Sequence, residues 1–239
     1  MTFLLIVGEL TLLYLLSRRL TQNLFIALFL LTKSRSICIS ILSLLYFPGT
    51  VIHELSHLFV AEILGVRTAG LTLVPEGIEK TQVRTGSVSI VDTDPLRRAV
   101  IGVAPVFVGL GALFTISYFL PGVWEQTGLD VANGIAFSNY SLYLLGFLFY
   151  ALFAVSNSMF SSPEDMEGFW PVAIVAALVL GALYIAGIRF SLPESAVTGV
   201  KLFTTSLATN IGGVVGLNVV LLIISKFLIG AVERATGRK

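Results

Sequence analysis

The segment FPGTVIHELSHLFVAEILGV, residues 47–66, contains both histidines of the chain. Its centre reads His53-Glu54-Leu55-Ser56-His57. On a helix, residues four positions apart lie on nearly the same face, so both imidazoles can bind one divalent metal ion while Glu54 faces the water on that ion. This arrangement is typical of zinc hydrolases. It predicts His53 and His57 as metal ligands and Glu54 as the general base.

The residues on either side of this motif are apolar enough to lie in a bilayer. Ile37 to Ile52 precede the motif, and Leu58 to Val66 follow it. An ionisable residue inside a membrane is costly and usually marks a functional site. The alternative interpretation is a polar patch whose groups satisfy one another, or a metal site that is only structural.

The composition excludes a soluble globular domain. Hydrophobic residues make up 56% of the chain, charged residues make up 12%, and the mean hydropathy is +0.93. These values are typical of a polytopic membrane protein. The net charge of +1 and the scattered basic residues give no indication of a nucleic-acid partner. The single cysteine, Cys38, cannot form an internal disulfide, and nothing in the sequence indicates the oligomeric state.

We expect an all-α polytopic membrane protein with about six transmembrane helices. The apolar runs fall at residues 2–17, 22–32, 37–66, 95–120, 139–160, 170–188 and 196–232. The run at 22–32 is too short to cross a bilayer upright, which favours an interfacial or re-entrant piece. Pro48-Gly49 predicts a kink just before the metal ligands, and the last helix is expected to break near residues 210–213.

A polar interval, residues 67–94, separates the motif helix from the next apolar run. Leu71 to Val74 and Val83 to Val91 are rich in β-branched residues and predict a small membrane-associated β-hairpin; the alternative is a plain connecting loop. Asp94-Pro95 then begins a helix with Asp94 as its N-cap. Residues 121–138 are expected to form a loop.

The basic residues predict the orientation in the membrane. Those near the ends of the expected spans include residues in the interval after the motif helix and in the tail: Arg67, Lys80, Arg84, Arg97, Arg98, Arg234, Arg238 and Lys239. Both regions should therefore be cytoplasmic. Lys33 and Arg35 then fall on the outer side, which leaves the number of N-terminal spans open. We expect a multi-pass protein of the bacterial cytoplasmic membrane with its C-terminus in the cytoplasm.

The third ligand of a catalytic zinc must be sought among the carboxylates, because no further histidine exists. Cys38 lies roughly 22 Å from His53 along the same helix and cannot reach the metal. The best-placed acids are Glu164, Asp165 and Glu167, which follow the span at 139–160. Glu9 in the first apolar run is a weaker candidate.

Several motifs together resemble the site-2 protease family of intramembrane zinc metalloproteases. The motif His53 to His57, followed by Ala61, Gly65 and Val66, is similar to the family's active-site helix. The spacing of Asn157, Pro163 and Asp165 is similar to that of a later family motif, and Gly102 to Pro105 resembles the family's small-residue second core helix. The resemblance covers roughly residues 48–170.

The resemblance implies Zn2+ bound by His53, His57 and Asp165, with Asn157 holding the substrate carbonyl or its oxyanion. It also implies that the substrate is a transmembrane segment of another membrane protein, cleaved within the lipid bilayer. The chain departs from the family pattern at Ser56, Glu62, Glu164 and Met166. None of these departures removes a ligand or the base.

Three regions are predicted. They are an N-terminal membrane anchor region at 1–36, a metalloprotease catalytic core at 37–170 and C-terminal transmembrane helices at 171–239. Two other functions stay open: a catalytically silent membrane protein that binds clients or metal, and a different membrane metalloprotease that trims prenylated C-termini. The latter would take a Glu as third ligand, so Glu164 or Glu167 in that place would favour it. A transporter is less favoured because no paired broken helices are evident.

Overall fold

The computed structural model describes residues 2–72, 87–90, 93–135, 140–160, 165, 169–187 and 193–236. These residues form helices and one two-stranded sheet. In chain order the elements are α1 (Thr2–Thr32), α2 (Arg35–Ile63), β1 (Thr68–Thr72), β2 (Ser87–Ile90), α3 (Pro95–Ala132), α4 (Ser141–Ser158), α5 (Phe169–Ile185) and α6 (Glu194–Thr236). The expected all-α class with a small β element between α2 and α3 is confirmed.

Four helices in the described part of the chain are long and apolar enough to cross a membrane. They are α2, α3, α4 and the part of α6 from Val197 to Arg234, while α5 is apolar but shorter. Large apolar side chains such as Phe107 and Phe147 are exposed on their surfaces, which suits lipid better than water. These features indicate a membrane protein; the expected number of about six spans is not confirmed.

The N-terminal region is one helix where two separate apolar runs were expected. Ile6, Leu13, Leu20 and Ala27 are all buried and recur every seven residues, so one apolar stripe passes straight through the Arg18-Arg19 pair. α1 packs along α6 through this side. Two charged residues therefore do not end a helix when they point away from its packed side. The prediction of two separate apolar segments at 2–17 and 22–32 was wrong.

The predicted loop at 121–138 is also wrong for residues 121–132. α3 continues through Pro121 to Ala132, because a proline removes one backbone hydrogen bond and does not have to end a helix. Asp130 is buried and accepts hydrogen bonds from Gln126 Nε2 at 3.0 Å and from Ser141 Oγ at 2.5 Å. The carboxylate that was assigned to a loop thus joins α3 to the start of α4.

The start of α3 agrees with the N-cap predicted from the sequence. Asp94 is the N-cap of α3, and its Oδ1 accepts a hydrogen bond from the Arg97 amide at 3.0 Å. α2 contains Pro48 in its interior, and the kink expected there stays a prediction. α6, in contrast, continues through residues 210–213, where a break was expected.

The two predicted strands pair as an antiparallel sheet. β1 begins three residues before the predicted start at Leu71, and β2 lies within the predicted segment Val83 to Val91. Both strands contact α2. The chain between them, residues 73–86, lies outside the described residues. The sheet is therefore attached to the helix that carries the histidine motif.

One apolar cluster fixes the end of α4 against its neighbours. Its buried members come from α1, α3, α4 and α6, with Met159 just after α4: Leu13, Leu113, Leu152, Val155, Met159 and Val214. The last turn of α4 is held at the centre of the bundle, close to the motif in α2. The three-part division at 36/37 and 170/171 stays a prediction.

Candidate metal centre

The two histidines of the motif face each other on α2. Their Nε2 atoms lie 3.3 Å apart, as the spacing of four residues on a helix predicts. His57 is 4% exposed, and the His53 side chain is 12% exposed. The pair is therefore largely screened from the surroundings.

Each imidazole is held by a backbone carbonyl through its other nitrogen. His53 Nδ1 donates to the Ser158 carbonyl at 2.7 Å, and His57 Nδ1 donates to the Ile101 carbonyl at 2.8 Å. A carbonyl oxygen can only accept, so both Nδ1 atoms carry the hydrogen. In the neutral rings both Nε2 atoms then present bare lone pairs to the same point, as histidine ligands of metals do.

Asp165 completes the cluster. Its Oδ2 lies 3.7 Å from His53 Nε2, and its Oδ1 lies 3.5 Å from His57 Nε2. One ligand atom from each of the three residues lies within 4.8 Å of the others. Within the described residues this is the one group of three or more His, Cys, Asp or Glu side chains that could hold a metal ion.

The spacing of these atoms fits a tetrahedral metal ion. Two Zn–N bonds of about 2.05 Å at the tetrahedral angle place their nitrogens about 3.3 Å apart, which is the Nε2–Nε2 distance observed. Two imidazole lone pairs and a carboxylate repel one another unless a cation lies among them. The donor set therefore requires either a metal ion or an added proton.

The donor set narrows the choice of metal without settling it. Two imidazoles and one carboxylate are ligands that catalytic zinc accepts, with a fourth position left for water. Non-haem iron(II) also takes two histidines and one carboxylate. The residues present fit either ion.

Two glycines allow the chain segments of this centre to approach one another. A methyl group at Gly49 on α2 would collide with Ser158 Oγ and the Ala154 carbonyl of α4, and one at Gly102 on α3 would collide with the Asp165 carbonyl. The small residues at these points bring the Ser158 carbonyl and the Asp165 carboxylate to the histidines.

We expect Gly102→Ala to weaken metal binding about tenfold or more, because the added methyl must displace the backbone of Asp165. Equilibrium competition with a coloured chelator measures this affinity. Gly111→Ala on the same helix is the matched control, since a methyl there meets no atom within 4 Å. Equal affinities in the two variants would show that Asp165 does not depend on this close approach.

Glu54 lies directly beside the cluster. It is 7% exposed and interacts electrostatically with His53, His57 and Asp165. A buried carboxylate is costly to maintain without an interacting cation. Its position next to a metal site, without belonging to the ligand group, suits a base that acts on water.

Asn157 takes part in hydrogen bonds between helices. Its Nδ2 donates to the Phe153 carbonyl, to Ser156 Oγ and to Asn218 Oδ1, at 2.8, 3.2 and 3.0 Å. Its Oδ1 is buried and has no hydrogen-bond partner among the described residues. The amide thus links α4 to α6, and its contact with a substrate stays a prediction.

The other predicted ligand candidates fall in two groups. Glu164 and Glu167 lie outside the described residues. Glu9 lies on α1, where its Oε1 is near Gly212 of α6, and it does not belong to the ligand group. Of the four acids considered, the structure brings Asp165 to the histidines.

The sequence reasoning missed the two carbonyls that orient the imidazoles. The Ser158 carbonyl lies at the end of α4, where the last four carbonyls of a helix have no donor within it. The Ile101 carbonyl lies in the interior of α3, four residues before Pro105. The unpaired carbonyl of Ile101 can be predicted from the sequence, because Pro105 has no backbone N–H to bond with it.

Comparison with known proteins adds no relative. The chain matches no protein-family model, no curated protein sequence and no solved structure. The resemblance to the site-2 protease family therefore rests on the motif residues alone.

Proposed function

We propose that the protein is an intramembrane zinc metalloendopeptidase that cleaves a transmembrane segment of another membrane protein. The observation that carries the proposal is the His53, His57 and Asp165 cluster with buried Glu54 beside it. Both histidines and Glu54 lie on α2, which is long and apolar enough to cross a bilayer. A purely structural metal site needs ligands but no adjacent base.

The depth of the cluster supports cleavage within the membrane. α2 ends at Ile63, ten residues after His53, which corresponds to about 15 Å along the helix axis. The hydrocarbon layer of a bilayer is about 30 Å thick. His57 lies six residues before Ile63, about 9 Å along the axis, so the cluster lies within the span and nearer to its C-terminal end.

Each side chain has a separate task in this mechanism. A bound zinc ion supplies Lewis acidity, which makes water nucleophilic near neutral pH and polarises the peptide carbonyl. A carboxylate oxygen of Glu54 accepts the proton of the attacking water and returns it to the leaving amine. The Ser158 and Ile101 carbonyls keep both imidazoles in the Nδ1–H form throughout.

The substrate must reach this cluster as an extended strand. A peptide bond inside a helix is shielded by its own backbone hydrogen bonds, so the cleaved segment has to unwind locally. Among the described residues, the sheet beside α2 consists of β1 and β2 alone, and β1 is exposed along most of its length. An exposed strand edge can hold an extended peptide by main-chain hydrogen bonds.

The orientation follows from the basic residues. Arg67, Arg97 and Arg98 flank the sheet, and Arg234 lies near the end of α6. We assign both regions to the cytoplasmic side, so the cluster is nearer to the cytoplasmic end of α2.

The test is cleavage of a model single-span protein whose transmembrane segment carries a Gly-Pro break, reconstituted with the purified protein in vesicles. We expect mass spectrometry of the products to place the cut within the span. A zinc chelator should abolish cleavage and added zinc should restore it, because the ligand atoms are the only described group able to hold the ion. Folded protein with bound metal that leaves such segments intact would favour the silent metal-binding alternative.

A further inference from the structure

α3 contains a proline in its interior at a position next to the metal centre. Pro105 is less than 2% exposed and lies inside the helix. In an α-helix the carbonyl of one residue accepts the N–H of the residue four positions later. Pro105 has no N–H, so the Ile101 carbonyl has no donor from its own helix.

The carbonyl left unpaired in this way is the one that His57 uses. His57 Nδ1 donates to the Ile101 oxygen at 2.8 Å. His53 makes the equivalent bond to the Ser158 carbonyl at the end of α4, where helical donors are also missing. Both imidazoles therefore depend on carbonyls that the helices leave without a partner.

We propose that Pro105 is a positioning residue of the metal centre. Because Pro105 has no backbone N–H, no helical donor competes with His57 Nδ1 for the Ile101 carbonyl oxygen. The hydrogen bond from Nδ1 then keeps the unprotonated Nε2 of His57 directed at Asp165. The inference rests on the metal centre of the proposed function and does not depend on the cleavage reaction.

An N–H at position 105 would compete with His57 for the same oxygen. A carbonyl has two lone pairs, so competition weakens the bond to His57 and does not abolish it. The ring of a helical proline also pushes the carbonyl four residues earlier out of the helix line, which favours an acceptor available to a neighbouring helix. Loss of such an outer partner of a ligating histidine costs about 10–100-fold in metal affinity.

The variant Pro105→Ala tests the inference, with Pro121→Ala as the matched control. Both prolines lie inside α3, but Pro121 is about 24 Å further along the helix. Both variants should remain folded because alanine suits a helix interior better than proline. In chelator competition with zinc we expect about tenfold weaker binding for Pro105→Ala and unchanged binding for Pro121→Ala.

A second readout needs no metal. The chain has two histidines, so nitrogen-15 labelling of histidine gives two ring systems in the NMR spectrum of the metal-free protein. In the wild type we expect His57 in the Nδ1–H form. In Pro105→Ala, signals of the Nε2–H form of His57 should appear, while His53 stays unchanged.

A rescue variant separates the missing donor from the shape of the ring. An α-hydroxy acid analogue of alanine at position 105 forms an ester, which has neither the proline ring nor an N–H. We expect this ester to restore the zinc affinity and the His57 tautomer of the wild type. An ester that behaves like Pro105→Ala would show that the ring acts through packing, and would overturn the inference.

The remaining outcomes are equally decisive. A wild-type His57 in the Nε2–H form, or a Pro105→Ala variant with unchanged tautomer and zinc affinity, overturns the role of Pro105. A folded wild type that binds no metal overturns the proposed function, yet the tautomer measurement still decides the inference. The two failures are therefore distinguishable.

Discussion

Replacing Glu54 with glutamine should leave the metal bound and reduce cleavage by about 10²–10⁴-fold, the contribution of a general base. Glutamine has nearly the same size and keeps a carbonyl oxygen, but it cannot accept the proton of the attacking water. Glu54 is buried beside the ligands and does not belong to them. Metal content by mass spectrometry and cleavage of the model substrate measure the two effects separately.

The control for this variant lies on the same helix. Glu62→Gln removes an equal charge from an exposed position in α2 and should leave both metal content and cleavage unchanged. If Glu54→Gln loses the metal together with the activity, Glu54 is a structural group of the centre. The base would then have to be sought elsewhere.

Asp165→Ala should remove the metal from the purified protein. The variant leaves two imidazoles with no negative ligand to balance a divalent cation, and catalytic zinc usually has three protein ligands. Because outer partners of the ligands alone are worth about 10–100-fold in affinity, we expect a loss greater than about 100-fold. The wild type should contain about one zinc per chain.

Glu164→Ala is the matched control for Asp165→Ala, since it removes the neighbouring carboxylate in the same segment. It should retain the metal. The opposite pattern, with metal lost only in Glu164→Ala, would make Glu164 the third ligand. That result would favour the alternative enzyme that trims prenylated C-termini.

The histidine pair and its helix are predictable because their geometry is local. Two residues four apart meet on any α-helix, and Asp94 before Pro95 predicts the start of α3 for the same reason. The third ligand is not local. Elimination leaves several acids, and the choice depends on how closely the Asp165 backbone approaches α3 at Gly102.

The errors in helix bounds have a common physical cause. The predicted bounds at residues 17 and 120 stand directly before Arg18-Arg19 and Pro121, yet both lie inside helices. Packing against other helices supplies most of the stability of a helix, so an apolar stripe or a buried Asp130 outweighs a local charge or one missing hydrogen bond. Such partners become known only once the bundle is assembled.

Pro105 belongs to the segment Gly102 to Pro105, which resembles the small-residue second core helix of the site-2 protease family. Its chemical consequence, a carbonyl without a donor at Ile101, follows from the sequence alone. What could not be predicted is that His57 lies opposite that carbonyl. Which carbonyl lacks a helical donor depends on the local sequence, but which side chain bonds to that carbonyl depends on the tertiary fold.

The partners of each histidine lie far away along the chain, and this separation has a consequence for the newly made protein. His53 and Ser158 are 105 residues apart, and His57 and Ile101 are 44 apart. During synthesis the motif helix enters the membrane long before α4 and Asp165 have been made. The candidate metal centre is therefore incomplete in every unfinished chain and in every intermediate that lacks the packed bundle. Metal captured by the finished centre would in turn stabilise the folded state by mass action, so metal binding and completion of the fold favour each other.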